Sequence, residues 1–186
     1  KIDLAYSCSQ KGLSCPPGLG PFSMSNRAEN KMNNRKDKVP NWYLDVSLLN
    51  KYWGSDRVYH HTAPVNMNFG IREALRLLAE EGLEVSWDRH RKNAETLWNS
   101  LENIGLELHV PEELRLPTLT TVKIPDGVDG KAFTKHLLNK FGVEIGGGLG
   151  DLAGKVWRIG LMGYNSTSKN VDKIINIFES ELPNFR

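Results

Sequence analysis

Residues 118–125 read TLTTVKIP. Three threonines, a valine and an isoleucine follow Pro117, and β-branched runs of this length bounded by prolines read as strands. The next segment, GKAFTKHLLNKFG (130–142), changes period. Phe133, Leu137 and Leu138 recur at helical spacing, and Gly142 supplies a stop. Working outward, LELHV (106–110) reads as a strand before this pair. VEI (143–145) reads as a short strand after it, GGGLG (146–150) as a loop, and VWRIGLMG (156–163) as a strand. SKNVDKIINIFESEL (168–182) closes with a helix whose stripe is Val171, Ile174, Ile175 and Phe178, with Asn165 or Ser166 as its cap. Strand, strand, helix, strand, strand, helix predicts an α/β sandwich with a mixed or antiparallel sheet. The expected domain boundary lies near residue 103, giving domains 1–103 and 104–186.

Upstream, the pattern is helical from about Asn66. Ile71, Ala74, Leu75 and Leu78 form one stripe; Leu83, Trp87, Ala94, Leu97 and Leu101 form a second. Gly82 between them leaves one long helix or two helices with a joint there. Still earlier, IDLAYSC (2–8) and LGPFSMS (19–25) read as strands, RAENKMNNR (27–35) as a weak polar helix, and WYLDVSLLNKYWG (42–54) as a mixed aromatic and aliphatic segment. The chain opens inside a strand pattern, so it is expected to be the C-terminal part of a longer polypeptide.

With 39% apolar and 25% charged residues, the 186-residue chain is globular. A net charge of +2 gives no reason to expect nucleic acid or an acidic membrane as partner. The basic residues of NRAENKMNNRKDK (26–38) are interrupted by acids and amides, as on a solvated face. Cys8 and Cys15 make no disulfide framework, and free thiols fit a reducing compartment. No signal-peptide pattern or C-terminal Ser-Lys-Leu is seen, and a cytoplasmic location is expected.

Four places carry chemistry. In YSCSQKGLSCPPG (6–18), Lys11 follows a strand among Ser7, Ser9 and Gln10, whose polar groups suit an anion, and Pro16 and Pro17 stiffen the exit. An amine held there is either a solvated loop lysine or one that forms an imine with an aldehyde. Arg158 interrupts an apolar strand, with Trp157, Ile159 and Leu161 on one face and Arg158 and Gly160 on the other. Its partner is either a structural carboxylate, Glu144 or Asp151, or the carboxylate of a ligand gripped through two parallel hydrogen bonds. YHHT (59–62) suits a phosphate or a polar loop; adjacent histidines share no face, and no metal site is expected. GLGDLA (148–153) matches the letters of a dinucleotide fingerprint but precedes a strand instead of opening a helix.

Taken together, YSCSQKGLSCPPG, YHHTAPVN (59–66), LRLPTLTTV (114–122), EIGGGLG (144–150) and GKVWRIGLMGYN (154–165) resemble the alanine–glyoxylate/serine–pyruvate aminotransferases. These are fold-type I enzymes that use pyridoxal 5′-phosphate (PLP). The resemblance spans essentially the whole chain. It implies that residues 1–103 are the end of the large-domain sheet and a long connecting helix, followed by the small α/β domain at 104–186. Lys11 matches the lysine that anchors PLP and then shuttles a proton. Gln10 matches a residue of the phosphate cradle, Tyr59 and Thr62 match contacts to the cofactor phosphate of a neighbouring subunit in a homodimer, and Arg158 matches the clamp on the substrate carboxylate. Substrates would be small amino acids and 2-oxo acids. The family's ring-pairing aspartate, stacking aromatic and glycine-rich phosphate loop have no counterpart in these residues, so the isolated segment is expected to be inactive. The rival readings are another class V enzyme, of phosphoserine aminotransferase or cysteine desulfurase type, and a non-catalytic dimerisation fragment.

Overall fold

The computed structural model describes residues 1–185, which divide into two compact units. The first holds Lys1–Gln10 and Cys15–Ala74; the second holds Lys11–Ser14 and Leu75–Arg186.

In the first unit, β1 (Leu4–Tyr6) pairs antiparallel with β2 (Phe22–Met24), Ala5 opposite Ser23. Asp3 ties the pair to the helix after it. Its carboxylate accepts from Ser25 Oγ at 2.7 Å and from Arg27 Nε at 2.9 Å. Ser25 Oγ in turn accepts from Ala28 N and caps α1 (Asn26–Asn33). Such a cap contributes about 1 kcal/mol by occupying an orphan amide. Asp45 does the same for α2 (Val46–Trp53), accepting from Ser47 N at 3.0 Å. Ile2, Leu4, Tyr6 and Phe22 all lie exposed, so the β1–β2 pair shows apolar side chains to solvent. α3 (Val65–Glu81) begins in this unit and ends in the second.

Gly82, at φ +89°, breaks the helical run, so of the two alternatives two helices are found, and α4 (Leu83–Asn103) follows. In the second unit β3 (Leu119–Lys123), β5 (Val156–Gly160) and the two-residue β4 (Gly146–Gly147) form one antiparallel sheet in the order β3–β5–β4. Thr121 and Gly146 flank Arg158 in register. α5 (Gly130–Phe141) and α6 (Ser168–Glu181) complete the unit. Asp129 caps α5 and Gly142, left-handed at φ +62°, ends it. The core joins Leu97 and Leu101 of α4, Val122 of β3, Phe133 and Leu137 of α5, Trp157 and Ile159 of β5, and Val171 and Phe178 of α6. Phe133 lies 5.1 Å from the Trp157 ring and 5.2 Å from Phe178. Fully burying such a side chain contributes about 1.5–3 kcal/mol.

Several details differ from the sequence reading. LELHV makes only an isolated bridge, Leu108 to Val122, before Pro111 ends it. The strand expected at 143–145 is displaced to Gly146–Gly147. The cap of α6 is Thr167, because Ser166 is fully buried and the Asn165 carbonyl is taken by Thr167 N and Asn170 Nδ2. In α4, Leu83 and Trp87 are exposed; the inward stripe is Ser86, His90, Asn93, Ala94, Leu97 and Leu101. α4 supplies core side chains, Leu97 and Leu101, to the second unit. No helix among the described residues is long and apolar enough to cross a membrane.

Candidate functional site

Lys11 stands on a tight turn. Ser14 N donates to the Lys11 carbonyl at 2.9 Å, and Ser14 itself takes φ +54°. The amine is exposed and makes no hydrogen bond or ion pair among the described residues. The expectation of a lysine held in a polar nest is corrected in one respect. Ser9 is fully buried, and its Oγ donates to Pro16 O at 2.7 Å and accepts from Leu19 N at 3.4 Å. Ser9 therefore closes the Cys-Pro-Pro elbow and is not an anion ligand. Gln10 is exposed beside the turn.

Within the second unit the turn leans on the loop that leaves β5. Tyr164 N donates to Ser14 Oγ at 2.8 Å. A Cβ placed on Gly163 would strike Ser14 Oγ and come within 2.7 Å of the Gly12 carbonyl. Gly163 sits at φ +59°, so both its conformation and the close approach call for glycine. Arg158 lies five residues earlier, on β5. It is half-buried, and its Nε donates to Gly147 O at 2.6 Å. A Cβ on Gly146 would lie 3.3 Å from Arg158 Nη2, so the two-glycine strand leaves room for the guanidinium to lie flat. The structural salt bridge to Glu144 or Asp151 is absent among the described residues, and the outer guanidinium N–H groups have no carboxylate partner there. The charge is less buried than its apolar strand suggested.

A polar cluster that the sequence reading missed grips the same loop from α4. His90 Nδ1 donates to Ser86 O at 2.6 Å, and its Nε2 accepts from Gly163 N at 2.8 Å. Arg89 Nη1 donates to Gly163 O at 3.1 Å and Ser166 O at 2.6 Å. The same guanidinium pairs with Glu81 through two hydrogen bonds, Nη2 to Oε2 at 2.9 Å. Arg89 holds the Glu81 carboxyl below the ordinary carboxylate range, and Glu81 raises Arg89 in return. Asn93 Nδ2 donates to buried Ser166 Oγ at 3.3 Å. The signal was available: Ser86, His90 and Asn93 continue the Leu97–Leu101 stripe at spacings of four, three and four.

In the first unit, Tyr59 and Thr62 meet. Their hydroxyls are 2.8 Å apart, and Tyr59 is 72% exposed, so both point polar groups at solvent. The intervening histidines are structural. His60 stacks on Trp42 with ring centroids 4.0 Å apart, donates from Nε2 to Trp42 O and contacts His61 through Nδ1. No cluster of three or more metal-type side chains occurs among the described residues.

The donor set fits an aldehyde cofactor that carries a phosphate and an amino-acid substrate. There is an unpartnered amine, a guanidinium on the strand whose following loop carries the amine's turn, and a separate pair of outward hydroxyls. Comparison with known proteins points the same way. The class-V aminotransferase family model matches residues 1–174. An alanine–glyoxylate aminotransferase of Callithrix jacchus is 48% identical over 185 residues, which is 97% of this chain and 45% of that protein. The crystal structure of an alanine–glyoxylate aminotransferase from Nostoc sp. is 65% identical, with a TM-score of 0.92 over 96% of this chain and 47% of that one. A ureidoglycine–glyoxylate aminotransferase structure from Bacillus subtilis gives 0.95 at 38% identity, over 100% of this chain and 48% of that one. The chain thus spans about half the length of these relatives.

Proposed function

The chain belongs to the class-V aminotransferases and folds as one portion of their PLP-dependent architecture, and from that premise we propose that the protein containing it moves an amino group between small amino acids and small 2-oxo acids. Glyoxylate or pyruvate is the acceptor, and alanine or serine the donor. The observation that carries this is the unpartnered Lys11 amine on a turn latched to the loop that follows Arg158.

PLP, when bound, supplies the aldehyde and the electron sink. Lys11 is its covalent anchor. With the cofactor bound, the Lys11 amine would also be the group that moves the proton at the substrate Cα, so one side chain would serve as anchor and as general acid–base. Arg158 pairs with the substrate α-carboxylate through its free outer edge. Its Nε bond to Gly147 O fixes the plane of the guanidinium before substrate arrives, so less rotamer freedom is lost on binding. Fixing the carboxylate orients the Cα–H bond that Lys11 must reach. Gln10 contributes to the phosphate cradle. Tyr59 and Thr62 offer hydroxyl donors to the phosphate held by a second subunit of a homodimer.

Reductive labelling tests the reading. The intact protein is incubated with PLP, reduced with borohydride and digested. Label on the Lys11 peptide is expected. Label spread over surface lysines, with none on Lys11, refutes the proposal.

A further inference from the structure

We propose that His90 is a positioning residue for Lys11, holding by one hydrogen bond the loop on which the lysine turn is latched. The inference rests on reading Lys11 as the cofactor's anchor. Three observations carry it. First, both ring nitrogens of His90 are committed: Nδ1 donates to Ser86 O at 2.6 Å, so Nε2 must be the unprotonated acceptor of the Gly163 N–H at 2.8 Å. An amide nitrogen cannot accept, which fixes the tautomer. Second, the next amide along the loop, Tyr164 N, donates to Ser14 Oγ, three residues from Lys11. Third, Lys11–Ser14 belong to the second unit although the residues on both sides of them belong to the first. The turn therefore takes its place from α4 and the 163–166 loop.

Arg89 and Asn93 hold the carbonyls and the buried hydroxyl of that loop from the same helix. They clasp its acceptors and its Ser166 side chain. His90 alone in this group takes a backbone N–H of the loop. His90 is nine-tenths buried, so water does not substitute freely when the imidazole is lost.

The test uses the intact protein and variants His90→Leu, His90→Gln and Ser14→Ala. Gln can place an amide oxygen where Nε2 stands; Leu cannot. The rate of PLP and borohydride labelling at Lys11 is expected to fall about fivefold in His90→Leu, what one neutral hydrogen bond is worth. His90→Gln should return to within about twofold of the unsubstituted rate on the same grounds. Amide exchange at Gly163 should accelerate in His90→Leu and recover in His90→Gln. Ser14 is exposed, so Ser14→Ala keeps the fold even if His90→Leu does not, and it should also slow labelling by about fivefold. Unchanged labelling in Ser14→Ala or in folded His90→Leu overturns the positioning role and leaves the anchor reading standing. So does a His90→Gln variant as slow as His90→Leu. No label at Lys11 in the unsubstituted protein overturns both.

Discussion

Replacing Gly163 by alanine tests the latch between the lysine turn and the β5 loop. Two costs are separable. The residue sits at φ +59°, where an L side chain costs about 1–2 kcal/mol. The added Cβ would also lie 2.7 Å from the Gly12 carbonyl, against about 3.5 Å for a relaxed contact. Ser14 Oγ can rotate away, but Gly12 O is backbone, so the turn must retreat by about 0.8 Å to restore that relaxed contact. Forcing atoms into a packed place costs a further 1–3 kcal/mol or so. Gly142 is the matched control: its φ is +62° and a Cβ there meets nothing within 4 Å. Calorimetry should show Gly142→Ala losing about 2–8 °C, and Gly163→Ala roughly twice that, for a chain of this size. Labelling at Lys11 should slow only in Gly163→Ala, because displacing a reacting group by about 1 Å costs up to 100-fold. Equal melting losses in the two variants, with equal labelling, would refute the close approach.

The Glu81–Arg89 pair gives an acid-side prediction. Because Arg89 lowers the folded-state pKa of Glu81, the pair stabilises fully above the unfolded carboxylate value, about 4.3, and that contribution is lost as pH falls through the lowered value. Urea midpoints followed from pH 6 to pH 2.5 should decline less steeply in Glu81→Gln; an identical slope contradicts the pairing. Arg158→Gln should lower kcat/KM for alanine by about 100-fold by removing the carboxylate's charged partner, with Arg158→Lys in between. Steady-state kinetics showing unchanged kcat/KM would remove Arg158 from the site. Phe133→Ala, in the centre of the second core, should cost about 3–5 kcal/mol, and a denaturant midpoint within error of the parent would contradict its place there.

The sequence made the framework readable where one physical signal dominated. Phe133 and Leu137 at helical spacing with Gly142 as terminator specify α5 without help from the rest of the fold. Gly82 announces the break between α3 and α4 because no other residue there takes φ +89° as readily. LELHV misled because an alternating pattern also suits a segment that touches β3 at one bridge. The inward face of α4 was misassigned for a related reason. Hydrophobicity selected Leu83 and Trp87, while the buried positions one residue before Trp87 and three after it are Ser86 and His90, and the His90 ring is satisfied by two backbone partners, Ser86 O and Gly163 N. Gly163 lies 73 residues away in the chain from His90, and no local pattern encodes that pairing. Arg158 was legible as an anomaly. The vacancy opposite it became visible only through the register that sets Gly146 beside it.

The short β1–β2 pair has a practical consequence. It is three residues long on each strand and turns Leu4, Tyr6 and Phe22 outward, and two strands alone are marginal in water. Unshielded, these rims invite strands from other molecules to add on. A concentrated stock of the 186-residue polypeptide will therefore grow cloudy on storage, and Tyr6→Lys, putting like charges on neighbouring rims, should keep it clear.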